Sequence, residues 1–78
     1  MEKERENQFS TTDLGVSAFL MSRGYSMLSR SRENGRLTFH FPEDANQVAE
    51  EYFKGASSPA RSFYHALRDL RALIHSPA

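Results

Sequence analysis

Seventy-eight residues without a cysteine exclude two separate cores, a disulfide framework and a thiolate metal cluster. Ten basic and ten acidic side chains cancel, so net charge by itself points to neither a nucleic acid nor a membrane. The longest apolar stretch, near 16–21, is too short to span a bilayer, and the charged start Met1-Glu2-Lys3-Glu4-Arg5-Glu6-Asn7-Gln8 lacks the apolar segment of an export signal, so a cytoplasmic protein with no membrane partner is expected.

Residues 1–8 carry no apolar periodicity and read as a disordered tail, leaving 9–76 as one α+β domain. Phe9-Ser10 fits a short extended segment. Ser10-Thr11-Thr12-Asp13 then opens a helix, with Thr11 or Thr12 as the N-cap and Asp13 in the first turn, where the helix dipole favours an anion. The helix is expected to run to about Arg23, and Gly24 is suited to leave it.

This first helix does not have one apolar face. Leu14, Ala18 and Met21 align, whereas Val16, Phe19 and Leu20 point elsewhere. A helix apolar most of the way round lies centrally, between the sheet and the last helix, or is covered by a partner. Val16, Phe19 and Leu20 are therefore the candidate interface. A small unstapled core favours self-association, so a homodimer is the partner this interface would imply.

Two runs follow, 25–32 and 36–41, around Glu33-Asn34-Gly35, and Asn-Gly between such runs signals a hairpin. A two-residue loop would pair Glu33 with Arg36 and place Arg30 and Arg32 on the face of Leu37 and Phe39. A three-residue loop would pair Arg32 with Arg36 and put Tyr25, Met27, Leu37, Phe39 and Phe41 on one face. A slip of one residue exchanges the faces, and the apolar grouping favours the three-residue loop. In that register Arg30, Arg32, Arg36 and His40 line the outer face of a two-stranded ribbon.

Pro42 ends the second run, and Glu43-Asp44 open a helix with apolar positions at Ala45, Val48, Ala49, Tyr52 and Phe53, closed by Gly55. Ser57-Ser58-Pro59 starts the last helix, a serine N-cap followed by proline at the first helical position, and the helix runs to about His75. Phe63, Leu67, Leu70 and Ile74 share its apolar stripe. The expected fold is thus α+β, a small antiparallel sheet built on one β-hairpin and packed against three helices in the order (β)-α-β-β-α-α. Its core should hold Leu14, Ala18, Met21, Met27, Leu37, Phe39, Phe41, Val48, Tyr52, Phe53, Phe63, Leu67, Leu70 and Ile74.

Catalytic and cofactor chemistry find no carrier in the sequence. His65 and His75 stand ten residues apart on one helix, about 15 Å along its axis, and cannot share an ion. His65 and Asp69 supply two ligands at most, so no metal is expected. Capping accounts for Ser10, Thr11, Thr12 and Asp13 together. Glu50 and Glu51 diverge by about 100° and form no carboxylate pair. Lys54-Gly55-Ala56-Ser57-Ser58 has the wrong order and spacing for a phosphate loop. No catalytic residue and no cofactor follow.

Several segments together resemble a known family: Ser10-Thr11-Thr12-Asp13-Leu14, Ala18-Phe19-Leu20, Gly24-Tyr25, Leu37-Thr38-Phe39-His40-Phe41, Glu51-Tyr52-Phe53-Lys54-Gly55, and the run from Phe63 to Ile74. The chain is similar over about residues 9–76 to the bacterial domain-of-unknown-function family 5659, short stand-alone proteins. The resemblance implies a one-domain α+β fold and a bacterial setting, and no activity. Two functions are expected to compete: a non-enzymatic, self-associating interaction module using Val16, Phe19 and Leu20, and a nucleic-acid-binding module using Arg30, Arg32, Arg36 and His40. An enzyme is not expected.

Overall fold

The computed structural model describes residues 8–75. The tail expected over 1–8 lies outside them except for Gln8, which is a strand residue opposite Pro42. The elements are β1 (Gln8–Thr11), α1 (Leu14–Ser22), β2 (Ser29–Glu33), β3 (Arg36–Pro42), α2 (Ala45–Phe53) and α3 (Ala60–Ile74). The three strands form one antiparallel sheet in the order β1-β3-β2, so the fold is α+β with the expected element order.

The middle position goes to β3 because it alone alternates strictly. Leu37, Phe39 and Phe41 are buried on one face while Thr38 and His40 are half-buried on the other. On its β1 side Phe9 stands opposite Phe41 and Thr11 opposite Phe39.

A side-chain cap opens α1, and glycines close α1 and α2. For α1 the N-cap is Asp13, one residue beyond the expected threonines, and its carboxylate accepts the Val16 N–H at 3.0 Å. Thr11 instead accepts the Asp13 N–H at 3.1 Å. At the far end Gly24, at φ 97°, lets Tyr25 donate to the Leu20 carbonyl and Gly24 to the Met21 carbonyl, each at 3.0 Å. The same paired closure ends α2, where Gly55 donates to Tyr52 and Ala56 to Glu51. Pro59 occupies the N-cap position of α3, which begins at Ala60 without a side-chain cap, so the expected serine cap is not made.

The candidate interface on the first helix is corrected by the packing. Val16, Phe19 and Leu20 are each no more than 1 % exposed within the chain itself. The all-round apolar character of α1 arises because it packs along α3 and against α2 and shares a buried cluster with Leu37, Phe39 and Phe41 of β3. Phe19 meets the Tyr52 ring at 5.5 Å between centroids, and the Arg23 guanidinium covers its open side, 4.6 Å from the ring centre. Arg23 also donates to Glu51 at 3.2 Å and to the Ser57 carbonyl at 3.1 Å, tying α1 to α2 and to the loop before α3.

Elsewhere the core departs from expectation in kind. Phe53 is 70 % exposed, whereas the small Ala45, Ala49 and Ala66 are buried.

Candidate functional site: the open edge of the sheet

The hairpin takes the two-residue loop. Glu33 stands opposite Arg36, Arg32 opposite Leu37 and Arg30 opposite Phe39. Asn34 at φ 54° and Gly35 at φ 78° are both left-handed, the conformation a tight turn between right-twisted strands requires. The three-residue register is therefore wrong. The apolar alternation of Tyr25 and Met27 favours that register, but the ladder starts only at Ser29, and those two side chains reach the core from the connecting loop.

This shift of one residue divides the expected basic face. Arg36 and His40 remain on the outer surface, in register with Glu33 and Ser29, while Arg30 and Arg32 lie on the helix side. All three arginines are exposed, and among the described residues none of them forms an ion pair; those present join Arg23 to Glu51 and Arg68 to Asp69. Arg32 reaches across to the C-terminus of α3, where its guanidinium donates to the Ile74 carbonyl at 3.4 Å.

The backbone of β2 follows from the same turn. A two-residue hairpin closes on a hydrogen-bonded pair, so Glu33–Arg36, Ser31–Thr38 and Ser29–His40 exchange the ladder bonds. Arg30 and Arg32 then direct their N–H and C=O groups away from β3. Among the described residues no strand pairs with them, because β2 is at the margin of the sheet. Leu28 breaks the alternation by turning its N–H inward to the His40 carbonyl at 2.7 Å, so the free edge ends there. Its side chain, 53 % exposed, borders that end. The result is a short polar edge with two free backbone positions, each carrying an arginine on the same face.

On the outer surface His40 joins all three strands. Its Nδ1 lies 2.7 Å from the Ser10 hydroxyl on β1 and its Nε2 3.0 Å from the Ser31 hydroxyl on β2. A neutral imidazole accepts from one hydroxyl and donates to the other, so the ring acts as a cross-strand tie. It borders an open depression of about 420 Å³ shared with Gln8, Ser29 and Glu33. A serine–histidine pair alone does not make an acyl-transfer site. An acyl-transfer site also needs donors placed to hold an oxyanion, and His40 sits on the central strand between its two serine partners.

His65 and His75 are exposed on and after α3, and Asp69 pairs with Arg68 at 3.5 Å rather than with His65. Among the described residues no three His, Asp or Glu side chains are grouped to hold a metal ion, and no helix is long and apolar enough to cross a membrane. The chain has no match among protein-family models, curated proteins or solved structures.

Proposed function

We propose that this protein is a non-enzymatic interaction module that adds an extended acidic segment to the free edge of β2. One observation carries the reading. Arg30 and Arg32 leave their backbone groups free at the edge and place their side chains on one face. A strand laid along that edge bonds the backbone of both, which supplies affinity, and side chains at every second position lie beside the guanidinium groups, which supplies selectivity. Carboxylates at those alternate positions suit the two cations. Exposed ion pairs add at most about 1 kcal/mol each, so most of the binding rests on the main chain.

Pairing β2 with β2 of a second copy, helices on the same side, is a poor alternative. Registers that pair both arginines set arginine opposite arginine, and like charges across a ladder are destabilising. The edge is thus guarded against its own image and left open to acid. A cytoplasmic setting belongs to this proposal, as does the family resemblance, which bears on element order and on no activity.

The test is amide NMR of the labelled protein with a short peptide of alternating glutamate and valine, and with its lysine–valine counterpart. Shifts at the Arg30 and Arg32 amides with the acidic peptide alone are expected. No shift with either peptide, at protein concentrations where the chain is monomeric, overturns the reading. Salt-dependent binding of a DNA duplex, lost in Arg30→Ala/Arg32→Ala, would put nucleic-acid recognition in its place.

A further inference from the structure

We infer that the strand completing β2 is the N-terminal segment of a second copy of this chain, an identification that rests on the edge-pairing reading above. The residues preceding β1 are Glu2-Lys3-Glu4-Arg5-Glu6-Asn7, with acid at every second position and base between. β2 reads Ser29-Arg30-Ser31-Arg32-Glu33, with base on one face and acid at the end of the other. Laid antiparallel, like the rest of the sheet, with Glu4 opposite Arg32, the segment brings Glu6 opposite Arg30 and Lys3 opposite Glu33. Arg5 falls opposite the neutral Ser31. Both faces are then complementary in one register, with no like charges opposed.

The segment cannot reach this position from its own chain. The sheet order β1-β3-β2 puts the slot beyond β2 three strand spacings from β1, about 14 Å away. Only Asn7 separates Glu6 from Gln8, the first residue of β1, and so short a link spans about 7 Å at most. Glu6 therefore meets Arg30 only of another copy. Each copy donates one segment and offers one edge, so a two-fold pair satisfies both. In this register Asn7 falls opposite Ser29, and the donor's β1 leaves the edge beside the exposed Leu28.

Charge reversal on either side gives the test, read by sedimentation equilibrium. The intact chain is expected to self-associate, more weakly as salt rises. A chain lacking residues 2–6, which keeps all of β1, should be monomeric at the same concentrations. Glu4→Lys/Glu6→Lys and Arg30→Glu/Arg32→Glu should each lose the association alone. An equimolar mixture of the two should regain it, because each segment then meets an edge of opposite sign. An intact chain that stays monomeric, association that survives removal of 2–6, or a mixture no stronger than its components overturns the inference. The shortened chain with the glutamate–valine peptide separates the two levels. Shifts at Arg30 and Arg32 leave edge pairing standing without the second copy, and their absence removes both.

Discussion

A methyl group on Gly15 would overlap the hydroxyl of Tyr52. Gly15 lies in the first turn of α1 and Tyr52 near the end of α2, so the contact sets how closely these helices approach. The tyrosine ring also packs against those of Phe19 and Phe53, with centroids at 5.5 and 5.4 Å.

Helix propensity alone would make Gly15→Ala stabilising by up to about 1 kcal/mol. Overpacking opposes it by about 1–3 kcal/mol. A net loss of stability is expected, because the clash falls on a ring packed against the buried Phe19. In a Tyr52→Leu background the same alanine should become neutral or stabilising. Urea denaturation of the four proteins measures the coupling; equal effects in both backgrounds would show that the contact does not limit the packing.

The sequence made the element order legible because its punctuation is local. Gly24 and Gly55 end helices through bonds to carbonyls only a few residues back, and Asn34-Gly35 marks the turn in the dipeptide itself. What it left ambiguous was non-local. Val16, Phe19 and Leu20 look like a surface waiting for a partner until α2 and α3 are folded onto α1. Tyr25 and Met27 look like strand residues until the ladder is seen to begin at Ser29. The two edge arginines were visible in the sequence, but their face depends on the parity of one turn, and apolar alternation outside the ladder favoured the wrong parity. The Ser10–His40–Ser31 tie joins residues from three strands and has no local signature.

Two substitutions separate real core positions from apolar ones that only resemble them. Leu70 on α3 is fully buried in the cluster shared with α1 and β3, so Leu70→Ala should cost about 2–5 kcal/mol. Phe53 lies on the apolar stripe of α2 yet is 70 % exposed. Phe53→Ala loses one edge-on contact with Tyr52 and should cost no more than about 1 kcal/mol. Thermal unfolding of both variants checks the pair; comparable losses would place Phe53 in the core.

The turn that sets the edge can be weakened without touching a contact. A Cβ on Gly35 would meet nothing within 4 Å, so Gly35→Ala acts only through its left-handed backbone, at a cost of about 1–2 kcal/mol. Asn34 is also left-handed, but asparagine tolerates this, and Asn34→Gly should be close to neutral. The loss in Gly35→Ala should concentrate on β2, which has no apolar side chain and is held by its ladder to β3, the Ser31–His40 bond and the Arg32–Ile74 bond. Hydrogen exchange should therefore rise at the Ser31 and Glu33 amides, which face β3, while amides in the β1–β3 ladder keep their protection. Binding of the acidic peptide should weaken in parallel, because the free groups of Arg30 and Arg32 are aligned only while that ladder holds. Uniform loss of protection across all three strands would mean instead that the sheet opens as one unit and that the edge has no local stability of its own.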